Sequence, residues 1–112
     1  MQEELSPAEA ETELQLCLDN GLIPTSHFRK ELKKEQRTMG SIRYVLINGS
    51  ITKKAVWDTK RENWKYRIEG LEPDGKWLVI IFCFSEENEV ILITVYSEKN
   101  PNKQVTRKRK RP

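Results

Sequence analysis

Histidine occurs once in this chain, cysteine twice, and glycine and proline five times each. A single histidine excludes any mechanism that passes a proton between two imidazoles of one chain. Cys17 and Cys83 are far apart, each inside an apolar run. With one histidine they cannot supply the clustered ligands of a zinc site, so two reduced core thiols are expected and no metal is called for. No apolar run approaches the ~20 residues needed to span a bilayer. The opening "MQEELSPAEAE" is acidic and has no apolar h-region, so neither a secretory leader nor a membrane partner is expected, and the cytoplasm is the default location. The signatures GxxxxGK[ST], GxGxxG, GxSxG and HExxH are all missing, which removes the commonest phosphate-loop, dinucleotide, serine-hydrolase and zinc-protease readings. No cofactor is implied.

Charge of one sign is missing from each end. Residues 1–26 carry six acids and no Lys or Arg, while residues 103–112 carry six bases and no acid. The net charge of +3 therefore conceals an acidic front, a mildly basic body and a strongly basic tail. At 112 residues the chain can close one core but not two.

What is present is strong helix punctuation followed by strand patterning. In "SPAEAETELQLCLDNG", Ser6 can N-cap, Pro7 suits the first helical position and Glu9 stands at capping-box spacing. Ala10, Leu14, Cys17 and Leu18 make the apolar stripe, and Gly21 stops the helix. "LIPT" then reads as a turn. Ser26 is the expected cap of a second helix reaching about Gln36, with Phe28 and Leu32 as its narrow apolar stripe. Ser41 is the expected cap of a short third helix, where Ile42, Val45 and Leu46 face the core and Gly49 ends it.

From Ile51 the period changes from 3.6 to 2. "ITKKAVW" and "ENWKYRIEGL" read as strands joined by "DTKR". In the second, Trp64, Tyr66 and Ile68 alternate with Lys65, Arg67 and Glu69. "EPDG" and "SEENE" are turns bounding "KWLVIIFCF", and "VILITVYS" follows. The expected fold class is α+β, with two to three N-terminal helices packed on one face of a four-stranded antiparallel sheet. Because the last two strands are apolar on both sides, the second face should be partly covered, by a dimer or a partner. The domain is expected to span residues 1–98, and residues 99–112 to form a disordered basic tail.

Few residues can carry chemistry. His27 and Glu31 stand four apart on the second helix, close enough for a carboxylate to raise an imidazole pKa and fix its tautomer, as a general acid–base histidine requires. A capping or structural role is the commoner use of such a His–Glu pair in a charged helix. Lys65 and Arg67 share a strand face, where they could neutralise a phosphodiester and its transition state, or else be solvated. Thr94 and Tyr96 point one way from the last strand, and Tyr96 could stack on a base or give a proton. In the tail, Arg107, Lys108 and Arg109 would bind a polyanion without sequence preference, although a nuclear-localisation signal fits the run equally well and a solubilising tail is the plain alternative.

The stretches "SHFRKELKKEQ", "SIRYVLINGSI", "WKYRIEGLEPDGKWLVIIFCF" and "VILITVYS" together resemble the bacterial domain-of-unknown-function 4258 family over about residues 24–97. The resemblance implies a compact α+β domain similar to the small RelE- and BrnT-like toxin folds, many of which are ribonucleases of toxin–antitoxin modules. It places the family's polar positions on His27 and Glu31, on Lys65 and Arg67, and on Thr94 and Tyr96. Many members carry Arg four and eight residues after the histidine; here Glu31 and Glu35 stand there, removing two phosphate-binding charges. The implied function is a toxin-like, metal-independent endoribonuclease. His27, Glu31, Arg67 and Tyr96 would be catalytic, and Lys65, Thr94 and the tail residues would bind RNA. The alternative is a non-catalytic protein- or nucleic-acid-binding module. Expected partners are RNA, an antitoxin-like protein or a second copy of the chain.

Overall fold

A computed structural model describes residues 3–99. Its elements, in chain order, are α1 (Pro7–Cys17), β1 (Leu22–Pro24), α2 (Ser26–Lys34), α3 (Met39–Asn48), β2 (Val56–Asp58), β3 (Asn63–Leu71), β4 (Trp77–Phe84) and β5 (Val90–Glu98). The α+β class and the three helices agree with the sequence, but the sheet does not. It has five strands in the order β1-β5-β4-β3-β2 and is mixed, because β1 runs parallel to β5 while the other pairs are antiparallel. The four-stranded antiparallel expectation failed at "LIPT", which is strand and not turn. Three residues are too few to show an alternation, and their partner lies far along the chain, with Ile23 opposite Ile91. Pro24, which has no N–H to donate, sits on this edge strand, where a missing ladder bond costs least.

Local chemistry starts each helix. At α1 the Ser6 hydroxyl accepts from the Glu9 N–H at 3.2 Å, and the Ser6 N–H donates to Glu9 Oε1 at 2.8 Å, completing the capping box. These two Ser6 bonds hold the exposed Glu9 carboxyl below its usual range, backbone bond first. The caps of the other two helices fall upstream of expectation. Thr25, and not Ser26, caps α2 and receives the Phe28 N–H at 3.1 Å. Thr25 is held extended at the end of β1 because its own N–H donates to the Leu92 carbonyl, so the helix can begin only after it. Thr38, and not Ser41, caps α3 and accepts from the Ser41 N–H at 3.3 Å. Ser41 is instead helical, and its hydroxyl donates to Glu72.

All the helices bury their stripes in one face of the sheet. Ala10, Leu14 and Cys17 of α1, Phe28 of α2, and Ile42, Val45 and Leu46 of α3 share a single core. Tyr66, Ile68, Leu78, Ile80, Phe82, Val90, Leu92 and Val95 complete it from the strands. Gly49, just after α3, allows the closest approach in this layer. A Cβ there would lie 2.6 Å from the Val45 carbonyl oxygen and 2.7 Å from that of Glu69. The expected strand "ITKKAVW" shrinks to Val56–Asp58, preceded by an isolated bridge from Ser50 to Glu69. A bulge in β5 sets its faces: Ile81 pairs with Thr94 but Phe82 pairs with Leu92, leaving Ile93 as the extra residue. Leu92 and Val95 therefore both reach the core, while Thr94 and Tyr96 turn to the face without helices.

That second face is partly covered, as the two-sided apolar strands imply, and the chain does it by itself. Val79 and Cys83 of β4 are 0% and 1% exposed although they stand outside the helix-facing core. Among the described residues, no helix is long and apolar enough to cross a membrane. The basic tail, with Arg107, Lys108 and Arg109, lies outside the described residues.

Candidate functional site

The helix-free face is where the sheet's polar residues collect. Strand alternation sends Tyr66 and Ile68 into the core, so Lys65, Arg67 and Glu69 must project from the other side of β3. Arg67 stands in one cross-strand row with Ile81 and Thr94, and Glu69 in the next with Val79 and Tyr96. Lys65 is opposite Val56 of the short edge strand β2. The irregular segment between the Ser50 bridge and β2 brings Lys53 and Lys54 beside Lys65 and Arg67.

The part of this face from Lys53 and Val56 across Lys65 and Arg67 to Ile81 and Thr94 forms an open cleft of about 280 Å³. Val56, Ile81 and Ile93 form its apolar part, and Lys53, Lys54, Lys65, Arg67 and Thr94 bring polar groups to it. Lys53 and Lys54 are exposed, Lys65 is half-buried, and among the described residues none of the three forms an ion pair.

Arg67 is placed differently. Its side chain is only 18% exposed and is held by two carboxylates. Nη1 lies 3.1 Å from Glu69 Oε2, and Nη2 lies 3.3 Å from both oxygens of Glu98. Glu69 is fixed in turn by the indole of Trp77, whose Nε1 donates to Glu69 Oε1 at 2.9 Å. A chain of contacts thus runs Trp77, Glu69, Arg67, Glu98 across the face, and it explains how Val79 beneath it is dry without a helix above.

The structure brings together Lys65, Arg67 and Thr94, and sets Tyr96 on the same face. It keeps His27 and Glu31 away from them. α2 packs on β5 from the opposite side through Phe28, so the sheet stands between the imidazole and the cleft. His27 is 62% exposed, and its Nε2 is 3.9 Å from Glu31 Oε1, beyond hydrogen-bonding reach. Sequence reasoning missed Lys53, Lys54 and Glu98. The paired lysines interrupt an otherwise apolar run, the one signal that could have marked them. Glu98 carries no local signal, because its partner lies two strands away.

A second polar cluster ties the helices to the far end of the sheet. Glu72, in the turn between β3 and β4, is 2% exposed. It accepts from Arg37 Nη1 at 3.1 Å, from Ser41 Oγ at 3.2 Å and from the Lys76 N–H at 3.2 Å. Buried and bonded on both oxygens, this carboxylate is a structural tie. Among the described residues, no three His, Cys, Asp or Glu side chains are grouped to hold a metal ion.

Fold and site together define a small α+β domain that packs its helices on one sheet face and leaves a cationic cleft on the other. The chain belongs to the family described as Domain of unknown function (DUF4258), whose family model matches residues 25–97. The match takes in α2, α3 and all the residues that line the cleft, and leaves out α1, β1 and Glu98. No curated protein and no solved structure gives a match.

Proposed function

We propose that the open face of the sheet binds RNA, and that the protein is a toxin-like ribonuclease cleaving the phosphodiester backbone without a metal. The observation that carries this reading is the cleft: Lys53, Lys54 and Lys65, with no ion-pair partner among the described residues, around an apolar floor and beside Arg67. Lysines without partners of opposite charge suit a polyanion, whose binding releases counterions. The 2′-hydroxyl of RNA serves as nucleophile on the adjacent phosphorus. It gives its proton to solvent, a 2′,3′-cyclic phosphate forms, and the departing 5′-oxygen takes a proton from solvent. Lys65 and Arg67 stabilise the extra charge of the pentacoordinate state, and Tyr96 offers a ring for a base to stack on.

The test is binding and cleavage of a single-stranded oligoribonucleotide by the purified chain. Replacing Lys53, Lys54 and Lys65 together by Ala should weaken binding at least tenfold and lower the salt slope by about 2, since each phosphate contact contributes roughly 0.7. Arg67→Ala should slow cleavage by about a hundredfold. His27→Ala, measured beside it, decides between the faces: loss in R67A alone places the chemistry on the open face, and loss in H27A places it on α2. Equal binding by wild type and the triple lysine variant would remove the RNA reading.

A non-catalytic binding module is the second reading. Two features favour it: the imidazole stands on the far side of the sheet from the cleft, and Glu69 and Glu98 already neutralise Arg67. Tight binding with no strand scission in any variant would establish it.

A further inference from the structure

The two carboxylates on Arg67 are not equivalent. Glu69 is 15% exposed and is locked from behind by the Trp77 indole. Glu98 is 43% exposed, ends β5, and among the described residues bonds only Arg67. Both Glu98 oxygens lie 3.3 Å from the same guanidinium nitrogen, a long three-centre contact in place of the two-nitrogen fork that a well-seated carboxylate or phosphate makes with arginine. Arg67 thus has one fixed partner that aims it and one loosely held partner on the solvent side. An exposed pair of this kind is weak, so an incoming anion can exchange with it at little cost.

We propose that Glu98 is a stand-in for the ligand phosphate: it occupies the solvent-side edge of Arg67 and must be displaced before a phosphodiester engages that arginine. Glu98 therefore sets the affinity of the cleft and discriminates against weakly binding anions, while Glu69 and Trp77 are positioning residues that keep the guanidinium aimed during the exchange. This rests on the reading of the cleft as a phosphate-binding site, and it explains why the arginine of the site is paired while, among the described residues, its lysines form no ion pair.

Two measurements on the full chain test it. Inorganic phosphate is titrated while the Arg67 Nε–H resonance is followed by NMR. Glu98→Gln should move half-saturation to roughly fivefold lower phosphate, and Glu69→Gln should not tighten it. An unchanged midpoint in E98Q overturns the proposal. A fluorescent single-stranded oligoribonucleotide is then bound to wild type, E98Q, R67A and the double variant R67A/E98Q. E98Q should tighten binding by a similar factor, and the gain should vanish in the R67A background. The same gain in both backgrounds would mean that only net charge had changed, and would also overturn it. The RNA reading itself is judged separately, by wild type against the triple lysine variant. It can fail while phosphate exchange at Arg67 stands.

Discussion

Cys17 and Cys83 are both buried, one on each side of the sheet, and both thiols are pushed up. For Cys17 burial is the main cause, with the Glu13 carboxylate adding to it by accepting the Sγ–H at 3.3 Å, and the thiol rises to about 11. For Cys83 burial again leads, opposed by Arg61 and reinforced by Asp58. A raised thiol stays protonated and poorly nucleophilic. Neither cysteine should therefore react with iodoacetamide at about pH 8 in the folded chain, and both should react in strong denaturant; mass spectrometry of the labelled peptides checks this. Rapid labelling of either at that pH would mean that the packing around it is open. The sign for stability follows by linkage. In the unfolded chain Cys17 ionises near 9.0, so its contribution to stability is complete below that pH and is lost as pH rises toward about 11. At this scale the burial of both thiols was legible, because free cysteine in an apolar run is almost always interior. The Glu98 contact was not, because nothing in "YSEKN" indicates an arginine two strands away.

Among the elements, α1 was the most legible, because its capping box is made by residues three apart that need no other part of the chain. β1 was the least legible, because a three-residue edge strand is stabilised almost wholly by its partner. The caps of α2 and α3 fall between these cases. By residue type Ser26 and Ser41 are slightly better N-caps than Thr25 and Thr38, and contacts to Leu92 and Glu72 decided which residues served. The junction between α3 and β3 depends on a glycine for a steric reason. Gly49 is in an extended conformation open to any residue, but a methyl group there would collide with two carbonyl oxygens that belong to backbone and cannot turn away. Gly49→Ala should cost about 1–3 kcal/mol, read as a lower urea midpoint with an unchanged slope. An unaltered midpoint would show that α3 can move off β3 freely.

For the whole molecule, the question is whether α1, which precedes the family match, belongs to the same cooperative unit. Its Ala10, Leu14 and Cys17 are fully buried in the common core. Three long-range bonds anchor it and the segment before it: the Leu5 N–H donates to Tyr66 Oη at 3.0 Å, Gln15 Nε2 to the Leu46 carbonyl at 3.1 Å, and the Ile51 N–H to Glu11 Oε2 at 2.7 Å. Leu14→Ala should therefore cost about 3 kcal/mol, as much as the same truncation inside the family segment. Unfolding followed by circular dichroism and by tryptophan fluorescence should remain one coincident transition. Separate transitions would make α1 an appendage. Hydrophobic period, caps and turn residues act within a few positions, and so the sequence by itself determined the three helices, the long strands and the polar face of β3. The parallel edge strand, the bulge at Ile93, the division of His27 from Lys65 and Arg67, and the Arg67–Glu98 pair were decided only by the tertiary structure. Each depends on which distant segments the closing core brings side by side, and that information is carried by no short stretch of the chain.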